Sequence, residues 1–349
     1  MLEHPLKRDL DSILEANENS FLELRGERIF ISGATGFIGK WLLETLLWSN
    51  QKLALNLSIT ALSRNPDIFL RSHPRFGVDA CLRLLRGDIR SFEFPKGTFS
   101  HVVHAATDVG SVAAAADHRN IFDVSVRGTQ RLLEFCRERS VARLLFTSSG
   151  AVYGVQPPSL EHTPETYLGA PDPTQLNSAY GEGKRVAEWL ICAEAAATGM
   201  ESKIARCYAF LGPYMELDGP FAIGNFIGAA LAGRNLDILG DGRPFRSYLY
   251  ASDLVEWLVT IFFQGKANTP YNVGSEEPHT ILEVAEAVVK AVNPLLKCEI
   301  KGVNKNGPPG RYVPSARKAR EELGLMQKVP LPVGIERTVN WHRTRIHQP

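Results

Sequence analysis

Tyr180-Gly-Glu-Gly-Lys184 sets a phenol and an ammonium four residues apart. On a helix that spacing puts both groups on one face. A cation beside a phenol stabilises the phenolate and draws the phenol pKa down from about 10. A tyrosine tuned in this way takes or gives the proton of a sugar hydroxyl while hydride moves to or from a nicotinamide ring. Lys184 is also suited to hold the ribose beside that ring. Upstream, Thr147-Ser-Ser149-Gly-Ala-Val-Tyr153-Gly154 leaves an apolar run. Hydroxyls at such a point can hydrogen-bond a substrate oxygen next to the tyrosine, or simply cap a turn.

Further upstream, Gly33-Ala-Thr-Gly36-Phe-Ile-Gly39 follows a short apolar run and opens a helical stretch. In that context the first glycine permits a tight turn. The second lets backbone approach a pyrophosphate, and the third lets helix and strand pack closely. The helix N-terminus then offers N–H groups and a partial positive charge to phosphate. Gly33, Thr35, Gly36, Phe37, Ile38 and Gly39 are thus the candidate dinucleotide contacts. An acidic residue ending the next strand would favour the ribose 2′-hydroxyl of NAD, and an arginine the 2′-phosphate of NADP. That strand ends Ala61-Leu-Ser-Arg64-Asn65, without Asp or Glu. The expectation is NADP or NAD, with Arg64 favouring NADP.

These groups need a frame. Apolar runs at 28–32, 57–62, 83–85, 101–104, 143–147 and 203–207 read as strands. Helical patterns fall at 37–48, 124–139 and 179–197 between them. Alternation of this kind predicts a doubly wound parallel α/β sheet of Rossmann type. Residues 1–25 form a helical extension, 26–210 the dinucleotide-binding domain, and 211–349 mainly a smaller α/β substrate lobe, some of whose segments return to the first domain.

Composition narrows the function classes. Lys plus Arg is 39 and Asp plus Glu is 38, a net charge of +1, which does not suit a nucleic-acid binder. No apolar run is long enough to span a membrane, and residues 1–25 lack a signal core. Five single cysteines suggest reduced thiols and a cytoplasmic setting. His101 and His104 read as structural histidines and no metal is expected. Trp41, Trp48, Trp189 and Trp257 read as packing residues, and Ala113–Ala116 as an undecided helix or loop over the cofactor.

The motifs in this order resemble those of the extended short-chain dehydrogenase/reductases of the nucleotide-sugar epimerase/dehydratase family, over roughly residues 26–330. Gly87-Asp88-Ile89, His104-Ala-Ala106 and Arg246-Ser-Tyr-Leu-Tyr250-Ala-Ser-Asp253 add to the likeness. The resemblance implies Ser149, Tyr180 and Lys184 as the catalytic trio, with Tyr180 and Lys184 also touching cofactor. It implies Asp88 and Ile89 beside adenine, Ala105 and Ala106 along the phosphates or ribose, and Tyr208 near the nicotinamide. Ser149, Asn225, Arg246 and Arg311 would meet a nucleotide-diphospho-sugar, the two arginines gripping its diphosphate. A homodimer through the helices at 124–139 and 179–197 is implied as well.

The chain departs from the family pattern at four positions. Dehydratases carry an Asp-Glu pair where Gly150 and Ala151 stand, and decarboxylases a Glu at the Ala151 position. Ala209 and Ser125 replace family asparagines. The expected chemistry is hydride transfer at a secondary alcohol or ketone, at C4, by a 4-epimerase or a 4-ketoreductase. The alternatives are a 4,6-dehydratase or decarboxylase drawing an acid from Glu161, Glu165 or Glu182, and a non-catalytic NADP(H)-binding sensor or scaffold.

Overall fold

The computed structural model describes residues 4–107, 117–303 and 307–346. The helical extension is α1 (Lys7–Leu22), bent at Asn17, whose backbone leaves the helical region at φ −129° and ψ 21°. Asn17 Oδ1 accepts a hydrogen bond from Thr260 Oγ1 at 2.9 Å across the bend. Then follow β1 (Arg28–Ser32), α2 (Phe37–Leu53), β2 (Ser58–Ser63), α3 (Pro66–Ser72), β3 (Leu82–Arg86) and β4 (His101–His104). After these come α4 (His118–Glu138), β5 (Arg143–Ser149), α5 (Ala179–Thr198), β6 (Glu201–Cys207) and β7 (Ala209–Leu211). The remaining elements are short: α6 (Ala222–Leu231), β8 (Leu236–Ile238), β9 (Phe245–Arg246), β10 (Tyr248–Tyr250), α7 (Ala251–Gln264) and β11 (Thr269–Val273). The chain closes with β12 (His279–Thr280), α8 (Ile281–Val292), β13 (Cys298–Ile300), β14 (Arg311–Tyr312), α9 (Arg317–Leu323) and α10 (Leu331–Ile346).

Seven strands pair in parallel in the order β3-β2-β1-β4-β5-β6-β11. Chain order reverses between β1 and β4, which is where a doubly wound sheet opens a crevice for ligand. Side chains alternate across the sheet. Ile29, Ile31, Val103 and Leu145 join Leu10, Ile13, Trp41 and Trp257 in the core beneath α1, α2 and α7. Phe30, Val102, Leu144 and Phe146 join Leu132, Phe135 and Ile191 beneath α4 and α5. Phe30 and Phe135 meet at 4.8 Å between ring centroids.

Past residue 210 the chain builds a lobe around Ile223, Phe226, Ile227, Val284, Val288 and Ile335. It also returns α7 and β11 to the large sheet. The lobe holds a small sheet of order β12-β9-β14.

Local signals displaced two expectations. The helix expected from 124 starts at His118, because Asp117 caps it by accepting from the Asn120 N–H at 3.1 Å. Trp41, Trp48 and Trp257 pack, with Trp41 Nε1 donating to the Pro213 carbonyl at 2.8 Å. Trp189 does not pack: it is 69% exposed on the outer face of α5. His104 is wholly buried between Ser32 Oγ at 2.7 Å and Thr129 Oγ1 at 3.0 Å, and desolvation pushes its pKa down to about 3. His101 packs against Phe262 and Phe263. Ala113–Ala116 lie outside the described residues.

Candidate active site

The glycine turn lies at the β1/β4 crevice. Gly33 has φ +71°, and a Cβ there would stand 2.3 Å from the Ala105 carbonyl oxygen and 2.5 Å from the Ala106 nitrogen. Ala105 and Ala106 therefore cross directly over the turn. Gly39 allows α2 to lie on the Gly33 carbonyl, 2.2 Å from where a Cβ would be. Gly36 is the N-cap of α2 and supplies no capping side chain, so the first N–H groups of the helix face outward without one. Thr35, Phe37 and Ile38 are half-buried at this lip. An open helix N-terminus beside a turn that admits no side chain fits a dinucleotide pyrophosphate.

At the ribose end, Arg64 is exposed just beyond β2. Asp88 spends both carboxylate oxygens on Arg90, each at 2.8 Å. Those bonds hold its carboxyl below the usual range, with Arg64 adding to the effect. Ile89 is buried against α4, where a Cβ on Gly128 would meet it at 2.8 Å.

Ser149 ends β5, and Tyr180 and Lys184 sit on the first turns of α5. Gly181 lets that helix lie close on the Ala151 carbonyl, 2.6 Å from a Cβ position. Ser149 Oγ accepts from the Ala151 N–H at 3.1 Å, so it caps the turn and faces the site together. Ser148 points the other way and donates to Glu188 at 2.5 Å. Arg206 holds the same carboxylate through two bonds, at 2.9 and 2.6 Å. This pair braces α5 against β5 and β6.

The electrostatics differ from the sequence expectation. Burial pushes the Tyr180 phenol up to about 12, with hydrogen bonds to Ser149 and Thr107 acting downward. Lys184 does not lower it. Its ammonium donates to the Thr147 carbonyl at 2.8 Å and lies 5.9 Å from the Tyr180 ring centroid. Desolvation brings Lys184 down to about 8 from 10.5. In the unfolded chain this lysine holds its proton to higher pH, so its burial penalises folding fully below about 8 and fades by 10.5. Lys184→Met is therefore expected to raise the unfolding free energy at neutral pH, with the gain vanishing near pH 10.5 in a denaturation series. A gain that does not depend on pH would contradict this.

The substrate-side candidates are not gathered in one place. On β9, Arg246 lies across from His279 of β12 and Tyr312 of β14, whereas Phe245 lies across from Thr280 and Arg311. Cross-strand partners share a face. Arg246 and Arg311 therefore occupy opposite faces of this small sheet and do not form the expected pair. Arg246 packs over Tyr312 at 5.8 Å, and Arg311 over Phe245 at 4.5 Å. Arg246 shares its face with Tyr312, whose hydroxyl is 3.4 Å from Ser149 Oγ. Asn225 is exposed on α6. Tyr208, expected beside the nicotinamide, packs its ring on Gly150 and at 4.6 Å from Tyr312. Thr107 and Tyr312 were not expected at the site. Their one sequence signal was adjacency, to Ala106 and to Arg311.

The NAD dependent epimerase/dehydratase family model matches residues 29–274. UDP-glucuronic acid decarboxylase 3 of Arabidopsis thaliana is 33% identical over 325 residues, covering 92% of this chain and 91% of that protein. The chain belongs to the NAD dependent epimerase/dehydratase family. Among solved structures, a UDP-glucose 4-epimerase of Thermus thermophilus in complex with NAD is similar at TM-score 0.73 and 25% identity, over 90% of this chain and 99% of that one. A UDP-glucuronic acid 4-epimerase of Bacillus cereus in complex with UDP-glucuronic acid and NAD shares the fold, with TM-score 0.76 and 22% identity over 91% of this chain and 99% of that one.

Within this family the environment of Gly150 is informative. A Cβ there would stand 2.6 Å from Tyr208 Cζ, so the aromatic ring fills the volume of any side chain at 150. Ala151 is half-buried and brings no carboxylate. Two of the three glutamates considered as stand-ins have side-chain partners of their own. Glu165 accepts from the Asn272 N–H at 2.8 Å, and Glu182 lies 3.9 Å from Arg185. The Glu161 carbonyl accepts from Gln156 at 3.0 Å. Ser125 donates to the Ile121 carbonyl at 2.8 Å within its own helix, and Ala209 is half-buried on β7. Among the described residues no group of three or more His, Cys, Asp or Glu is arranged for a metal, and no helix is long and apolar enough to cross a membrane.

Proposed function

We propose that this chain transfers hydride at C4 of a nucleoside-diphosphate sugar, as a 4-epimerase or a 4-ketoreductase, without losing water or carbon dioxide. The observation that carries the reading is a complete Ser149, Tyr180 and Lys184 set beside Gly150 and Ala151, with the Tyr208 ring occupying the space at 150. Elimination needs a further acid or base, and a carboxylate is its usual carrier. A bound nicotinamide dinucleotide supplies the hydride acceptor and donor. Tyr180 exchanges a proton with the C4 oxygen, Ser149 hydrogen-bonds that oxygen, and Lys184 holds the nearby ribose. Arg246, on the face shared with Tyr312, binds the diphosphate, and the lobe past residue 210 is the substrate side. A uridine nucleotide is the first choice, from the relatives' substrates.

A second reading follows from those relatives' names: decarboxylation of UDP-glucuronic acid. Trapping carbon dioxide separates the two. No release from UDP-glucuronic acid during turnover supports the first reading, and stoichiometric release overturns it. Mass analysis of dinucleotide freed by denaturation then divides the first reading. A retained cofactor marks the epimerase, and an empty site that binds added NADPH marks the reductase.

Arg64 at the end of β2 and the absence of an acidic residue there support NADP. Arg64→Ser is expected to weaken NADP binding about tenfold and leave NAD within about twofold, by titration calorimetry. Wild-type protein binding NAD more tightly than NADP would contradict the preference.

A second copy of this chain is the proposed occupant of the outer face of α4 and α5. Trp189 there is 69% exposed and Phe122 40% exposed, and large exposed aromatics mark interfaces. Trp189→Glu is expected to convert a dimer to monomer in sedimentation. An unchanged species would remove this face from the interface.

A further inference from the structure

The two halves of a dinucleotide diverge from its pyrophosphate. The glycine turn follows β1, and Ser149, Tyr180 and Lys184 stand on the β5 side of it. A dinucleotide with its nicotinamide at Tyr180 therefore lays its adenosine over the ends of β2 and β3. Those two strands end side by side. Ser63 pairs with Arg86, and the Gly87 N–H donates to the Ser63 carbonyl at 3.0 Å. The next residue on each chain segment is charged, Arg64 on one and Asp88 on the other.

A carboxylate beside Arg64 opposes a 2′-phosphate, because like charges a few ångströms apart repel. Asp88 is not left bare. Arg90 Nε donates to its Oδ1 and Arg90 Nη2 to its Oδ2, each at 2.8 Å, and the Arg90 backbone N–H adds a third bond to Oδ1 at 2.9 Å. A guanidinium fork fits a carboxylate in this two-bond manner, where an ammonium offers only a point charge. The third arm, Nη1, donates to Asn120 Oδ1 and to Asp123 Oδ2, both at 3.0 Å, near the start of α4. Arg90 is thereby tied to the helix and cannot swing off Asp88 without breaking those bonds. Asp123 also pairs with Arg127 at 2.9 Å, whereas Asp88 has its two-bond partner in Arg90. The side chains of Arg90 and Asp88 remain 30% and 27% exposed, so a charge placed beside them feels the pair.

We propose that Arg90 is a positioning residue for dinucleotide choice: by holding and neutralising Asp88, it leaves Arg64 to receive a 2′-phosphate. This rests on the NADP reading made under Proposed function. Without Arg90 the Asp88 carboxylate draws on the Arg64 guanidinium and repels the phosphate. A ribose 2′-hydroxyl carries no charge, and a carboxylate can accept its proton in a hydrogen bond. NADP and NAD differ at that one group, so Arg90 sets their ratio and not the binding of the adenosine as such.

The test uses the full chain and two probes that differ only in the group concerned, adenosine 5′-monophosphate and adenosine 2′,5′-bisphosphate, titrated by calorimetry. Arg90→Ala is expected to weaken the bisphosphate about tenfold relative to the monophosphate. Adding Asp88→Asn to Arg90→Ala is expected to return the ratio to within about twofold of wild type, because the uncovered charge is gone. At about 1 M salt, where the Debye length is about 3 Å, the effect of Arg90→Ala is expected to shrink below about threefold. An unchanged ratio in Arg90→Ala overturns the proposal. So does an equal loss of both probes, which marks a structural role. A lowered ratio that Asp88→Asn does not restore also overturns it, since Arg90 would then touch the phosphate itself. Wild-type protein that binds the monophosphate more tightly sinks the NADP preference. A further tenfold fall in Arg90→Ala, reversed by Asp88→Asn, would leave this inference standing in that case.

Discussion

Tyr180→Phe is expected to cut turnover by about three orders of magnitude while leaving the fold and the dinucleotide site in place. Burial pushes the phenol up to about 12, so at neutral pH it is protonated and ready to donate. It must also accept a proton for the reverse direction, and the hydrogen bonds to Ser149 and Thr107 are what favour the ionised form. Phenylalanine keeps the ring against its surroundings and deletes only the proton-bearing oxygen. The remaining cost is the Ser149 proton facing an apolar ring, about 1 kcal/mol, a shift of a few degrees in Tm. Dinucleotide affinity measured by titration should stay within a factor of about three. Retained turnover would remove Tyr180 from the acid/base role. Lost cofactor binding would make it a binding group instead.

Gly33→Ala is expected to lose dinucleotide binding and to destabilise the fold by on the order of 4 kcal/mol. Two independent costs meet there. The backbone is at φ +71°, where an L side chain is strained. The added Cβ would stand 2.3 Å from the Ala105 carbonyl oxygen, which is backbone and cannot rotate away. Relief requires parting β1 from β4, whose pairing of Ser32 with His104 lies directly beneath. Gly36→Ala is the control. A Cβ there finds nothing nearer than the Gly33 carbonyl oxygen at 3.5 Å, so the fold should hold. That methyl would still occupy the space in front of the α2 N-terminus, and binding should weaken. Equal melting temperatures for the two variants would contradict the distinction.

What the sequence made legible is what local spacing encodes. The glycine turn, the alternation of strands and helices, and the spacing from Tyr180 to Lys184 each lie within one or two elements. Ser149, Tyr180 and Lys184 come together because β5 ends where α5 starts over it. The small lobe follows a different logic. Strands of two residues carry no readable period, so nothing local shows that Arg246 and Arg311 face opposite ways. Tyr312 belongs to the site only through the pairing of β14 with β9 and the docking of that sheet on β5. The expected lowering of the Tyr180 pKa failed for a related reason. A helical spacing specifies that a lysine is near, but not that the Thr147 carbonyl engages it or that burial outweighs it. Trp189 reads as a packing residue from its helical pattern, although position on α5 alone does not tell an inward face from an exposed one.

In the proposed reaction hydride moves at C4 and nothing else leaves the sugar. The most direct measurement is proton NMR of UDP-glucose and of UDP-glucuronic acid incubated with the protein and either dinucleotide. At least one of them is expected to give the C4 epimer or a 4-keto sugar with C6 and its oxygens intact. A UDP-pentose, or a 4-keto-6-deoxy sugar, would show that the chain loses carbon dioxide or water despite Gly150 and Ala151, and would contradict it.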